Sequence, residues 1–141
     1  MAILDRFFAE LTTTELHDLL RLRVDVFVVE QACAYPELDG RDAETTTRHI
    51  WSADDDGPTA YVRLLDDGEA RRIGRVATRA DARGNGLAGE LVDHVIVSSS
   101  GPWVLDAQSH LSEWYAGRGF VVSGPEYVED GIPHVPMRRD D

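Results

Sequence analysis

The part of the sequence that says most about its fold runs Arg79-Ala80-Asp81-Ala82-Arg83-Gly84-Asn85-Gly86-Leu87-Ala88-Gly89. It separates a predicted strand from an amphipathic helix that should begin at about Gly86. Residues 84–89 match G-x-G-x-x-G, the dinucleotide fingerprint, and Asp106 lies about 20 residues later, where a ribose-binding acid would be expected. In a Rossmann unit the strand runs almost directly into the first glycine, whereas here residues 79–83 intervene and no second βαβ half follows. The match alone is therefore weak, and a glycine-rich helix start without a ligand is the simpler alternative.

The charge around this stretch is opposite to that of the rest of the chain. The 141 residues carry a formal net charge of -12, and every basic residue is an arginine. Five arginines against one acid give residues 71–83 a local net charge of +4, which leaves -16 elsewhere. Backbone N–H groups of Gly84, Gly86 and Ala88 at a helix start would add an anion site. We therefore expect a pyrophosphate here, held by these groups and by arginine; the five are Arg71, Arg72, Arg75, Arg79 and Arg83.

The first half of the chain predicts a helix followed by an antiparallel meander. Thr12 and Glu15 have the spacing of a capping box, which predicts a helix over about 13–28. Turn signals at 56–58 and 66–68 separate three predicted strands, at 49–53, 59–65 and 72–78. Residues 33–47 carry a proline, a glycine and several carboxylates, which indicates an ordered loop or a short second helix.

The second half of the chain predicts one parallel crossover. A helix over about 86–97 connects the strand at 72–78 to a buried strand at 103–107, so these two strands should run parallel. A helix over about 109–117 and strands at 120–122 and 134–138, the latter two separated by a loop, complete the pattern. The predicted fold class is α+β: a mixed, mainly antiparallel sheet flanked by helices, in a single domain over residues 1–141.

Composition excludes several classes of function. Without lysine there is no Schiff base, pyridoxal-phosphate anchor or P-loop. The single cysteine, the N-terminal sequence and the lack of a long apolar stretch predict a cytoplasmic protein with no membrane partner. The acidic balance argues against a nucleic-acid partner and favours cationic small molecules, although codon bias or salt adaptation also produces such a balance. The five histidines show no ligand spacing, so we expect no metal.

The loop and the order of the predicted elements resemble the GNAT superfamily of N-acetyltransferases. Residues 83–88 match that family's R/Q-x-x-G-x-G/A loop, which grips the pyrophosphate of acetyl-coenzyme A. The resemblance implies a GNAT-like acyl-CoA N-acyltransferase fold of three α/β/α layers, with acetyl-coenzyme A as cosubstrate. It also implies that the strand before the loop hydrogen-bonds the pantetheine arm and polarises the thioester carbonyl. The implied coenzyme-binding residues are Val76, Ala77, Thr78, Arg83, Gly84, Asn85, Gly86, Leu87, Ala88 and Gln108.

Further segments narrow the resemblance to the ElaA-type branch of that family. Four segments look like the corresponding parts of this branch: residues 23–31, 35–42, 107–111 and 129–134. Tyr115, shortly before a Gly-Phe pair, matches the family's tyrosine near the coenzyme sulfur, which implies that it protonates the departing thiolate. The alternative is a core tyrosine packed on one helical stripe with Leu111 and Trp114.

A base is also needed, because the acceptor ammonium must lose a proton before it attacks. Glu30, near the end of the first helix, is the first candidate, and a water chain to solvent is an equal alternative. Each acid could instead be structural, with Glu30 and Asp39 paired to Arg23 and Arg41. An acyl-enzyme route through Cys33 would need an adjacent activating base. Four further candidates for the base are Glu129, Asp130, His110 and His134.

These features predict an N-acetyltransferase that moves the acetyl group of acetyl-coenzyme A to a primary amine by direct attack in a ternary complex. The acidic segments 37–44 and 126–130 favour a small cationic acceptor. One alternative is an acyl-homoserine-lactone-synthase-like acyltransferase, since residues 23–27 with Asp39 and Asp42 also resemble those enzymes. Another is a non-catalytic coenzyme A-binding regulatory module. A homodimer would be common for the family, but no residue pattern selects an interface or names the acceptor.

Overall fold

A mixed sheet of eight strands forms the centre of the computed structural model, which describes residues 2–141. The strand order is β1-β2-β3-β4-β5-β8-β6, and β7 pairs with β8. Every pair is antiparallel except β4 with β5, which are parallel as the crossover predicts. The strands are β1 (Leu4–Phe7), β2 (Arg48–Asp54), β3 (Gly57–Asp66), β4 (Arg71–Thr78), β5 (Trp103–Gln108), β6 (Val121–Val122), β7 (Tyr127–Glu129) and β8 (Ile132–Arg139).

Three α-helices accompany the sheet: α1 (Thr13–Val24), α2 (Leu87–Ser98) and α3 (Ser112–Ala116). The predicted capping box begins α1: the Thr12 hydroxyl accepts from the Glu15 N–H at 3.0 Å, and the Thr12 N–H donates to the Glu15 carboxylate at 2.9 Å. After Val24 the chain continues as a π-helical segment, Asp25–Glu30. The predicted helix at 13–28 therefore has nearly the right extent, but its last part is wound more widely than an α-helix.

Helices cover both faces of the sheet because side chains alternate along its strands. Ala60, Val62 and Leu64 of β3 join the buried cluster that also contains Leu91, Val92 and Val95 of α2. Tyr61, on the opposite face of the same strand, packs in a second cluster with Leu19, Leu22 and Val26 of the α1 side. The chain therefore forms the three predicted layers.

Two strands were not predicted. β1 has four residues and β7 only three, so neither is long enough to display the alternation that identifies a strand. β7 lies in what was predicted as a loop, and β1 lengthens the meander to four strands. The segment at 33–47 is a loop with one 3-10 turn at Arg41–Ala43. No helix among residues 2–141 is long and apolar enough to cross a membrane.

Candidate active site

A β-bulge interrupts β4 just before the predicted coenzyme-binding residues. In β3, Tyr61 and Arg63 are two positions apart, but their partners in β4 are Ala77 and Gly74, three positions apart. The extra residue lies within Gly74-Arg75-Val76, and Arg75 has a left-handed backbone with φ of 53°. Bulges bend a strand and re-aim its backbone, which is why they are frequent beside active sites.

Beyond its first residues, β4 separates from β5. The two strands pair only at Arg71 with Trp103 and at Arg72 with Val104. From there β5 continues to Gln108 along β8, while β4 continues through the bulge to Thr78 along β3. The β5-facing edge of β4, including residues 76–78, therefore borders an opening where backbone groups can bind a ligand.

The glycine-rich turn lies directly after this edge and leads into α2. Gly84 and Gly86 have φ of 82° and 74°, which side-chain-bearing residues rarely adopt. Helix α2 starts at Gly86 with no side chain capping its first N–H groups. A Cβ built at either glycine would meet no heavy atom within 4 Å, so the space beside the turn is open. The turn thus fits a pyrophosphate bound by backbone N–H groups. The Asn85 side chain instead braces the turn, donating to the Ala82 carbonyl at 3.1 Å.

Arg83 and Glu30 form a pair across this opening. Two nitrogens of the Arg83 guanidinium each lie 2.6 Å from a carboxylate oxygen of Glu30, and the third donates to the Thr78 carbonyl at 3.2 Å. Both side chains remain partly exposed, at 41% and 47%. The hydrogen bonds and charge of Arg83 lower the pKa of Glu30, so its carboxylate is a weaker base than an unpaired one.

The structure corrects the expectation of a free positive patch around the loop. Each of the five arginines between residues 71 and 83 lies within 4.0 Å of a carboxylate that is distant in the sequence or on a neighbouring turn. Counting charges along the chain could not show this, because the partners include Asp54, Glu37 and Glu30 from other elements. An anion bound at this turn would therefore depend on backbone N–H groups and on Arg83 exchanging its partner.

Tyr115 lies on α3 inside the larger core cluster, against which Val76 and Leu87 also pack. Its ring is 6% exposed and contacts Trp114 and Phe120 edge-on, with centroids 4.8 and 6.0 Å away. Burial raises the pKa of Tyr115 to about 12, partly opposed by Arg118. The phenol is therefore fully protonated at neutral pH and able to donate. It belongs to the core stripe as well as to the candidate site.

Gln108 and His134 meet at the far end of β5. They are opposite each other in the β5–β8 register, and the Gln108 amide donates to the Gln31 side chain at 3.2 Å. His134 Nδ1 lies 2.8 Å from the Ile132 carbonyl oxygen, which assigns the N–H to Nδ1 and leaves Nε2 as a proton acceptor. At His134 the strand β8 is paired on both sides, with Gln108 of β5 and with Tyr127 of β7.

The two acidic segments differ in their free charge. Carboxylates of 37–44 are paired with arginines, and the most buried of these arginines is Arg23, only 1% exposed. This segment therefore offers a cationic acceptor little, contrary to the expectation from its composition. Within residues 2–141, Glu126, Glu129 and Asp130 have no such ion-pair partner.

Two groups near the candidate site are not singled out by the sequence: the half-buried Arg75 side chain and the buried Ser109 hydroxyl. Arg75 had been counted only as part of the positive stretch; the one signal for its role was Gly74, since an isolated glycine in a strand indicates a bulge. The Ser109 hydroxyl, just after β5, is sealed and lacks a hydrogen-bond partner among the described residues.

Burial raises the pKa of the Cys33 thiol, which disfavours a thiolate nucleophile. No group of three His, Cys, Asp or Glu side chains in residues 2–141 is arranged to hold a metal.

Comparison with known proteins places this architecture in one family. The family model described as the acetyltransferase (GNAT) domain matches residues 16–140. A UPF0039 protein of Mycobacterium tuberculosis is 48% identical over 136 residues, which cover 92% of this chain and 87% of the relative. Protein ElaA of Escherichia coli is 38% identical over 144 residues, covering 96% and 94% of the two chains.

Solved structures agree in both sequence and fold. An acyl-CoA N-acyltransferase from Pseudomonas aeruginosa superimposes with a TM-score of 0.93 at 39% identity, with 99% of each chain covered. The crystal structure of Escherichia coli ElaA gives the same TM-score at 36% identity and the same coverage. With its bulged β4, its parted strands and its open glycine turn, the chain belongs to the GNAT acetyltransferase family, in the ElaA-type branch.

Proposed function

We propose that this GNAT protein is an acetyl-coenzyme A dependent N-acetyltransferase, acting on a primary amine of a small cationic acceptor by direct attack in a ternary complex. The observation that carries the proposal is the separation of β4 from β5 immediately before the uncapped start of α2. This arrangement offers a strand edge for an extended amide-containing arm and a helix N-terminus for its pyrophosphate. Acyl transfer is the chemistry of the family to which the chain belongs.

The proposed coenzyme site uses mainly backbone groups. N–H and C=O groups of Val76, Ala77 and Thr78 would hold the pantetheine arm and stabilise negative charge on the thioester carbonyl oxygen. The N–H groups of residues 84–88 and the Arg83 guanidinium would hold the pyrophosphate, and Gln108 would border the arm from β5. Acetyl-coenzyme A supplies an activated acyl group, so the chain needs chiefly to position the amine against it.

Two proton transfers accompany this chemistry. Tyr115, protonated at neutral pH, is proposed to donate a proton to the departing thiolate. Glu30 can accept a proton from the amine only after leaving Arg83, whose two N–H groups occupy both of its oxygens. His134 has an acceptor nitrogen without that restraint. The contacts of His134 therefore favour this residue as the base. The contacts of Glu30 favour it as the group that holds Arg83 before the coenzyme binds.

The acceptor side is proposed to lie near β7 and the turn after it. Glu126, Glu129 and Asp130 carry negative charge that arginines do not balance, whereas the carboxylates of 37–44 are paired. An acceptor with more than one ammonium group would be attracted to this end of the sheet.

The test is calorimetric titration of the protein with acetyl-coenzyme A. We expect micromolar-range binding by the wild type and at least a tenfold loss in Arg83→Glu combined with Gly86→Asp. A matched control is Arg138→Glu combined with Gly68→Asp, which alters an exposed paired arginine and a left-handed glycine with open space around it, away from the turn. The control should bind as the wild type does.

Two outcomes would overturn the proposal: no binding by the wild type, or undiminished binding by the variant at the turn. Turnover is tested by thiol release against polyamines, amino acids, aminoglycosides and peptides. Coenzyme binding without turnover on any acceptor would favour the non-catalytic regulatory module. Formation of a lactone from an acyl donor and S-adenosylmethionine would favour the acyl-homoserine-lactone-synthase-like reaction.

A further inference from the structure

We infer that Arg75 is a positioning residue: its ion pair with Glu37 holds the β4 bulge in the form that presents the backbone of residues 76–78 to the thioester. The inference rests on the proposed function, since it concerns the same strand edge. It assigns a role to the side chain of a residue within the bulge, which binds other protein groups.

The backbone of Arg75 is in a conformation that its own Cβ disfavours. Its φ of 53° lies in the left-handed region, which is unfavourable for any residue with a Cβ. The bulge can therefore form only if other interactions offset this conformational penalty. For a residue other than glycine this penalty corresponds to about a tenfold or larger shift in population. Such conformations persist where the surrounding structure fixes them, and they are concentrated at functional sites.

The group that holds Arg75 in this conformation is Glu37. Arg75 Nε donates to a Glu37 carboxylate oxygen at 2.9 Å, and an Arg75 Nη donates to the Glu37 backbone carbonyl at 3.2 Å. The guanidinium also lies over the Tyr35 ring, 5.8 Å from its centroid. Contacts to both the side chain and the backbone of one residue define the position of Arg75 more tightly than a single ion pair would.

Glu37 cannot move to follow Arg75, because it is held on two further sides. Arg23 Nε donates to it at 2.7 Å and the Tyr35 hydroxyl at 2.6 Å. Glu37 is only 4% exposed and Arg23 only 1%. The buried Arg23–Glu37 pair is therefore a rigid anchor in a region of weak screening, and Arg75 connects the bulge to it.

Without this connection the bulge should relax. In a regular β4 the partners of Tyr61 and Arg63 would be two positions apart instead of three. The strand on one side of the bulge would then shift by one position, and its side chains would turn to the other face of the sheet. The N–H groups of 76–78 would then no longer be aimed as they are here. Binding of the thioester arm should suffer, while binding of the phosphates at the α2 start should not.

The test compares Arg75→Ala with Arg75→Gly. Both remove the ion pair, but glycine adopts a left-handed φ freely and alanine does not. We expect affinity for acetyl-coenzyme A to fall about tenfold in Arg75→Ala and less than about threefold in Arg75→Gly. Affinity for 3′-phosphoadenosine 5′-diphosphate, which has the pyrophosphate but no thioester arm, should stay within about twofold of wild type in both. Arg72→Ala is the matched control, since it removes paired guanidinium contacts from the same strand outside the bulge.

Hydrogen exchange of the residue 76–78 amides, measured without ligand, tests the anchor independently of coenzyme binding. Exchange that is faster in Arg75→Ala than in Arg75→Gly supports it. Equal impairment of the two variants, or an equal loss of affinity for both ligands, overturns it. If the wild type binds neither ligand, the proposed function fails, and the exchange comparison still decides whether Arg75 holds the bulge.

Discussion

At the scale of single residues, the ion pair between Glu30 and Arg83 affects two proposed roles, that of a base and that of a phosphate ligand. The sequence identified both, Glu30 as a base and Arg83 as a phosphate ligand, and the structure brings them within 2.6 Å. In the proposed coenzyme site Arg83 binds the pyrophosphate, so a carboxylate that neutralises Arg83 would compete with that phosphate. Because both side chains are partly exposed, water screens the pair and the exchange should cost little.

Glu30→Gln should therefore tighten coenzyme A binding, by roughly two- to fivefold at low salt. The amide keeps the shape of the side chain but no longer competes as an anion for Arg83. The measurement is the dissociation constant of coenzyme A by calorimetry at two salt concentrations. Raising the salt should reduce the difference between variant and wild type.

Asp81→Asn is the control for this change, since it removes the charge of another exposed acid that pairs with an arginine of the same loop, Arg79. An equal gain in both variants would mean that only the general charge of the loop matters. Weaker binding by Glu30→Gln would contradict the proposed competition. If thiol release with an active acceptor also disappears while binding is retained, Glu30 is the base after all.

The types of residue in a sequence predict the chemistry of a site better than they predict its local backbone geometry. Arg83, the glycines and Tyr115 could be picked out because their types and spacing match a known loop. The left-handed Arg75 could not, since arginine carries no preference for that conformation and only the ion pair with Glu37 accounts for it. Likewise, no count of charges along the chain reveals that Arg79 pairs with Asp54 across two strands.

At the scale of elements, α1 positions Glu30, because the π-helical continuation of this helix ends at that residue. The helix starts at a complete capping box, with the Thr12 hydroxyl and the Glu15 carboxylate exchanging bonds with each other's backbone. These bonds satisfy two N–H groups that the helix cannot satisfy internally. The cap should therefore stabilise the element that carries Glu30, although it lies at the opposite end.

Thr12→Ala should destabilise the protein by about 1 kcal/mol, which corresponds to a drop of about 4 °C in Tm. The physical reason is the loss of the hydroxyl acceptor for the Glu15 N–H. Thermal unfolding followed by circular dichroism measures the change, with Thr13→Ala, an exposed first helical position, as the control. Thr13→Ala should leave Tm unchanged or slightly higher. Equal melting of the two variants would contradict a role for the cap.

Long elements could be predicted and short ones could not. The helices at 13 and 86, the meander and the parallel crossover all follow from periodicity, caps and connection length. β1, with four residues, gains its hydrogen bonds from β2, which is far along the chain, and β7, with three, is the short arm of a hairpin with β8. The π-helical winding of Asp25–Glu30 likewise leaves no mark on a 3.6-residue periodicity.

For the whole molecule, carboxylates neutralise most of the arginines, so the excess of acids remains as the free charge. Among residues 2–141, only Arg6 and Arg139 of the fourteen arginines lack a carboxylate within 4.0 Å. Some of these pairs are buried, such as those of Arg23 and Arg63 with Asp42. Removing one partner from a buried pair is far more costly than removing an exposed pair.

Stability should consequently fall in two steps as the solution is acidified. Burial lowers the pKa of His49, which accepts from the Tyr61 hydroxyl and donates to the Asp42 carbonyl. The unfolded state therefore takes up a proton first, below about pH 6.5, and stability declines from there. Burial alone would raise the pKa of Asp39 and Asp42, but the arginines outweigh it and both are lowered, so a second loss begins below about pH 4.

Urea unfolding at intervals from pH 7.5 to pH 3.5 measures the first step and the onset of the second. His49→Gln should flatten the first, whose slope is at most about 1.4 kcal/mol per pH unit for one proton. It should leave the second unchanged. His17→Gln, an exposed histidine, should behave as the wild type. An undiminished slope between pH 6.5 and pH 5 in His49→Gln would contradict this assignment.

The opening between β4 and β5 has a consequence for the fate of the acetyl group. Apart from histidine, the only basic side chains that can border it are guanidinium groups, because the chain contains no lysine. Guanidinium stays protonated at neutral pH and has no lone pair to attack a thioester, whereas a lysine amine could become acetylated. A thioester held at residues 76–78 would thus meet no side-chain amine of its own protein, so acetylation of a lysine would not compete with an incoming acceptor.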